Sequence, residues 1–300
     1  MLSRAGLLWG LAGVTAFSFT VPLTRVAVTG GLSPLFVGCG RAVVAAALAA
    51  IALAATGQRL PQGRQWIRLA VIAGGVVVGF PVLTSYALTT ASAGHSAVVI
   101  ALLPAATAAI AVVRERQPVR PMFWVVAGVG AAVAVGFAAL QGGQLTGLQW
   151  SDLLLLGAVV AAAVGYAEGG LLARELGAWQ TVSWALVVSV PVTGALAALA
   201  WWQQPSTAGA TEWAAFGYLA VVSMYLGFFA WYRGLAIGPM SSVSQVQLIQ
   251  PVLTICWAAI ILREGLTWPV LVGGAAVIVC ATVAVRTRMS PTVRQEEFSK

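Results

Sequence analysis

The chain has 300 residues, of which 60% are hydrophobic and only 8% charged, with a mean hydropathy of +0.93. That charged fraction is about a third of what an ordinary soluble domain carries, and no water-soluble core hides so much apolar surface, so soluble enzymes and soluble binding modules are excluded. The net charge of +8 comes without the aromatic interleaving of a nucleic-acid surface.

A hydrocarbon layer about 30 Å thick needs about 20 apolar residues per spanning helix. Ten such stretches are predicted, over 6–28, 34–56, 65–90, 93–113, 119–140, 150–174, 180–202, 211–236, 240–262 and 266–286. The first follows Arg4 but is too long for a cleaved leader and lacks a small-x-small site before the second begins. Cys39, Cys256 and Cys280 all fall inside stretches, without metal-like or disulfide-like spacing, and read as packing residues. The polar intervals are short, near 58–65, 141–149 and 203–211, and none can house a soluble catalytic domain.

With the N-terminus placed in the cytoplasm, thirteen basic residues from Arg4 to Lys300 fall on the cytoplasmic side, Arg25 and Arg263 fall outside, and Arg41 sits within a span. By the positive-inside rule this predicts a multi-pass plasma membrane protein, in a bacterium an inner membrane one, with both termini cytoplasmic. Tryptophans such as Trp9, Trp66, Trp150, Trp213 and Trp268 lie near predicted span ends, where amphipathic rings favour the headgroup level.

Trp66, Leu88, Pro104 and Thr107 recur 147 residues later as Trp213, Leu235, Pro251 and Thr254. The chain thus reads as a duplicated unit: residues 1–140 a first five-helix repeat, 141–149 a Gly- and Gln-rich linker, 150–287 a second repeat and 288–300 a cytoplasmic tail. Five is odd, so the second copy enters from the opposite face and the repeats are inverted. The expected fold is an all-α polytopic membrane protein of ten transmembrane helices around a central cavity, the construction from which many secondary transporters obtain two facing states. Arg114-Glu115 at the end of the fourth span and Arg263-Glu264 at the end of the ninth mark the same pattern. The pairs Gly6/Gly10, Gly75/Gly79, Gly165/Gly169 and Gly234/Gly238 let helices approach closely. They read as intramolecular packing, and the chain is expected to work as a monomer in the lipid bilayer.

Several features together resemble the drug/metabolite transporter superfamily, in particular its EamA-type ten-span members, over residues 4 to 287. They are the duplicated unit, Arg41 early in the second span, Tyr86-Ala87-Leu88, the Leu-Leu-Pro ending at Pro104, the Leu-Ile-Gln-Pro ending at Pro251, and Arg263-Glu264-Gly265. Within that group the chain looks most like bacterial aromatic amino-acid exporters. The resemblance implies export of small metabolites through a central cavity without ATP hydrolysis.

Ser244, Gln247, Gln250, Pro251 and Thr254 share roughly a third of the ninth helix's circumference at about 100° per residue. A polar stripe in hydrocarbon faces protein or water: it lines a substrate cavity or makes interhelical hydrogen bonds. Its repeat counterparts Ala97, Ile100 and Leu103 are apolar. Pro104 and Pro251 lack the amide donor in mid-span and, with Pro81, are candidate hinges. Tyr86, Tyr166 and Trp257 are candidate aromatic walls, against the alternative of core or lipid packing.

Three ionisable residues stand in or near spans, where a charge is costly. Arg41 is held by helix carbonyls or by a substrate carboxylate, and its match to the family pattern favours a structural or gating role. Glu168 either pairs with a basic residue at the cytoplasmic end or couples transport to protons. His95 opens the fourth span and reads as helix-end polarity more readily than as a proton relay.

The function expected is therefore secondary export of amino acids, aromatic and other hydrophobic or small neutral ones, or of related metabolites, by alternating access; proton-coupled efflux of lipophilic drugs is the alternative. No cofactor, metal or nucleic acid is expected. An intramembrane enzyme is disfavoured by a single histidine and the lack of a Gly-x-Ser-x-Gly elbow, a pump by the lack of a phosphate-cradling loop, and a channel by the scarcity of charged rings.

Overall fold

The computed structural model describes residues 4–115, 121–141, 144–145, 147–237 and 246–288. A backbone group in hydrocarbon finds no water, so a segment can cross only with its hydrogen bonds closed internally, and these apolar stretches accordingly form helices. Eight are long and apolar enough to cross a membrane: α1 (Ala5–Thr29), α2 (Pro34–Ala55), α3 (Gln65–Ala87), α4 (Ala93–Arg114), α5 (Pro121–Ala139), α6 (Trp150–Leu176), α7 (Ala178–Gln203) and α8 (Ala210–Gly234). Two shorter apolar helices follow, α9 (Gln247–Leu262) and α10 (Trp268–Val283). Between α5 and α6, Leu140–Gln141 pairs antiparallel with Gln144–Leu145.

The principal packing pairs are α2 with α7, α1 with α8, α3 with α6, α4 with α6, and α5 with α10; α1 also touches α9. Exchanging helices one to five with six to ten turns this set of pairs into itself. Small residues make the close approaches. On α2, Ala42, Ala45, Ala46 and Ala49 are buried at the three- and four-residue spacing of one helix face. A Cβ on Gly234 of α8 would stand 2.6 Å from the Gly10 nitrogen and 2.9 Å from the Gly6 oxygen of α1, and one on Gly75 of α3 would stand 3.1 Å from Gly165 of α6. Members of all four glycine pairs in the sequence therefore meet at two helix crossings within this chain; Gly238 lies outside the described residues.

The helices depart from α geometry at matching places. Ala73–Gly79 in α3 and Tyr218–Leu226 in α8 are π-helical, and the 147-residue offset carries the first stretch inside the second. In α3 the cause is near at hand. Pro81 has no amide to donate back, and the Phe80 amide reaches five residues back, to the Gly75 carbonyl. Its counterpart in α8 is Phe228, so the second π stretch has no proline behind it. The fourth helix is interrupted at Ala101–Leu102, just before Pro104, and the ninth passes through a 3-10 turn at Gln247–Ile249, just before Pro251. Helix α1 also breaks, at Phe19.

Candidate functional site

Where the interruptions of α4 and α9 face each other a cavity opens, lined on one side by Ala97, Ile100, Leu103 and Pro104 and on the other by Gln247, Gln250, Pro251 and Thr254, with Val21 of α1. A helix turn that cannot close its ladder at proline leaves room beside it, and each copy of the repeat contributes one such turn. The two walls differ in chemistry, as the sequence comparison of the copies shows: one is apolar and the other carries two amides. A second, adjoining cavity shares Val21, Ile100, Leu103 and Gln250. Its wall includes Arg41, Thr20, Ser223, Pro81 and the rings of Phe17, Phe80, Tyr166 and Phe228. The rings of Phe17 and Phe228 lie 4.8 Å apart, and Tyr166 stands 6.1 Å from Phe228.

Of the residues singled out in the sequence, Gln247, Gln250, Tyr166, Arg41, Pro81, Pro104 and Pro251 line these two cavities. Ser244 lies outside the described residues. Tyr86 lines neither cavity and is 42% exposed. It follows the π stretch of α3, and an extra residue per turn rotates every later side chain away from a regular helical projection. Trp257 also lines neither: it stacks on Phe19, centroids 4.3 Å apart, and its indole nitrogen donates to Ser18 Oγ at 2.9 Å. A partly buried indole N–H in an apolar bundle needs an acceptor, and the break in α1 supplies one. Thr254 reinforces the same junction by donating to the Ser18 carbonyl at 3.0 Å, whereas Thr107, its counterpart, buries a hydroxyl without a partner.

Ion pairs gather at the two ends of the bundle. At one end Glu264, following α9, accepts from the amides of Ala93 at 2.8 Å and Gly94 at 2.9 Å and pairs with Arg25 at 3.4 Å. Arg25 in turn donates to the carbonyls of Leu88 and Ala91. Beside it His95 and Asp152 meet at 2.7 Å, with Asp152 also accepting from the Gln149 amide. At the other end Glu168 is held on both oxygens, by Arg68 and by Arg114 at 3.0 Å, and Arg68 also pairs with Glu175. All five pairs described take the base from residues 4–139 and the acid from residues 149–286. Reading the sequence did not single out Arg68, Asp152 or Glu175, nor the Thr20–Ser223 hydroxyl contact of 2.7 Å. The one local signal was Asp152 three residues after Gln149, a capping-box spacing; the others meet only across 57 to 203 residues of chain.

A bundle of apolar helices with polar groups and a lone guanidinium turned inward to a cavity, and charges confined to its ends, is the construction of a membrane transporter. The EamA-like transporter family matches the chain twice, over residues 4–139 and 149–286. The chain is 40% identical over 277 residues to a Bacillus subtilis protein named as the uncharacterized transporter YdeK, covering 92% of this chain and 96% of that one. A solved crystal structure at 20% identity shares the fold with a TM-score of 0.63, over 96% of this chain and 98% of that one. This chain belongs to the EamA-like transporter family and is a multi-pass membrane protein.

Proposed function

We propose that the protein is a secondary transporter that exports amino acids, aromatic and other hydrophobic or small neutral ones, or related metabolites, across a bacterial inner membrane by alternating access. In this reading ten spans form two inverted five-helix repeats, residues 1–140 and 150–287, with both termini cytoplasmic and a monomer as the working unit. The observation that carries it is the position of the joined cavities: they lie where the fourth and ninth helices interrupt each other, between the Glu264 and Glu168 clusters. Each cluster ties one half to the other, so a substrate passes when one opens while the other holds. Pro81, Pro104 and Pro251 sit at the cavity walls as the points where α3, α4 and α9 bend.

Glu168 belongs to the gate in this mechanism. Both its oxygens are already taken by guanidinium groups, and no Asp or Glu lines either cavity among the described residues. The substrate gradient is then the source of energy. Purified protein in liposomes should move radiolabelled phenylalanine, leucine or serine without ATP, and Gln247→Ala should lower that flux with expression and monodispersity unchanged. No flux with any of these amino acids would end the assignment, and unchanged flux in the variant would return Gln247 to packing.

A further inference from the structure

We propose that Arg41 is the carboxylate anchor of the cavity, and that the protein selects monocarboxylates with an apolar body whether or not they carry an ammonium group. The inference rests on the transport reading above and narrows its substrate class.

Arg41 is 1% exposed and faces the larger cavity. Its Nε atom has no hydrogen-bond partner, and no carboxylate pairs with it among the described residues. That sets it apart from Arg25, which pairs with Glu264, and from Arg68 and Arg114, which share Glu168. Among the described residues no helix carbonyl, the alternative support that the sequence offered, accepts from that Nε. A guanidinium removed from water without an anion is destabilising by several kcal/mol. A fold that keeps one on a cavity wall, two turns inside α2, keeps it for an anion that arrives. The planar fork of Arg fits a carboxylate in bidentate fashion.

The neighbours agree with that chemistry. Thr20 Oγ1 and Ser223 Oγ share one hydrogen bond, so whichever hydroxyl accepts still has its own proton to donate into the cavity where both stand. Phe17, Phe80 and Phe228 provide apolar wall for the body of the ligand. An ammonium group would meet only neutral acceptors, such as the Gln250 amide, or ring faces. The acids nearest in kind lie in the end clusters and are already paired. One cation without acids suits a monoanion; a phosphate dianion calls for more, and a lipophilic cation is repelled.

The test uses counterflow of radiolabelled phenylalanine, and separately leucine, in liposomes holding the full chain. Each amino acid is set against two unlabelled competitors of the same body: the acid without its amino group, and the carboxamide without its carboxylate. The deaminated acid should compete about as well as the amino acid, and the carboxamide should compete roughly ten- to hundredfold less well, the worth of a charge-assisted hydrogen-bond pair. Arg41→Lys should keep that order with a raised KM, and Arg41→Gln should abolish the preference for the carboxylate. The Arg41→Gln protein should melt no lower than the parent, since it loses an uncompensated charge; a side chain that props up the helices would lower it.

A carboxamide that competes as well as the acid, a deaminated acid that does not compete, or an Arg41→Gln protein that still prefers carboxylates would each overturn the anchor while leaving transport standing. Absence of flux with either amino acid would instead bring down the transport reading on which the anchor rests. Should Arg41→Gln not fold, the competitor series on the unmutated protein and on Arg41→Lys decides.

Discussion

The two ends of the bundle are closed by the same kinds of residue in different ways. At the Glu264 end the acid and the base both reach for backbone: Glu264 takes the first amides of α4, and Arg25 takes the carbonyls of Leu88 and Ala91 in the turn after α3. Backbone groups at and next to helix termini lack helical partners, so this end is a set of shared caps. At the Glu168 end, side chain meets side chain: Glu168 is 8% exposed, while Arg114 at 55% and Glu175 at 50% reach water. Pairs of that kind separate into solvent without orphaning any backbone group. The Glu168 end is therefore the easier to open, and its strength resides in its one buried carboxylate.

The largest expected effect is therefore at Glu168. Glu168→Ala leaves Arg114 without its glutamate and Arg68 with Glu175 alone, and thermal unfolding in detergent should show a loss of about 2 kcal/mol, less than for a fully buried pair because both guanidinium groups reach water. A loss no greater than that of Glu175→Gln would dissolve the contrast between buried and exposed acids at this end. Next comes Glu264→Ala, which removes Arg25's partner and two cap acceptors at a cost of about 1 kcal/mol. Exchanging the charges, Arg25→Glu with Glu264→Arg, should not restore it, since the amides of Ala93 and Gly94 would then face a cation. Full recovery in that double variant would make the Glu264 end a plain ion pair.

Glu175→Gln should change stability by less than about 0.5 kcal/mol and should mimic part of the effect of added salt, which screens exposed pairs. Smallest of all is the response to an imposed pH gradient, which should leave neutral amino-acid flux unchanged. Acceleration by the gradient that is lost in Glu168→Gln would turn that carboxylate from a gate into a proton carrier.

Much of this architecture is written in short stretches of the chain. The helices begin and end close to where apolar runs do, because in a bilayer each residue's partition between oil and water is settled nearly one by one. Pro104 and Pro251 announced the interruptions of α4 and α9, and the polar Gln247 and Gln250 opposite apolar Ile100 and Leu103 pointed to the cavity wall. The π stretch of α8 was not legible, having no proline to mark it. Tyr86 and Tyr166 both stand beside small residues in the sequence, yet only Tyr166 lines the cavity, since neighbouring residue types do not say which way a side chain points. The acceptor of Trp257, Ser18, lies 239 residues away on a helix broken just before Pro22, and no local pattern joins the two.

Composition and hydropathy were enough to read a helical membrane protein, and landmark residues recurring at one offset gave the doubled unit and its interruptions. The tertiary structure alone decided which charges are paired. Arg25, Arg68 and Arg114 find acids across the two halves, and Arg41 finds none among the described residues. Pairing depends on how each helix is rotated and on which neighbour it meets, and both follow from the packing of all the helices together.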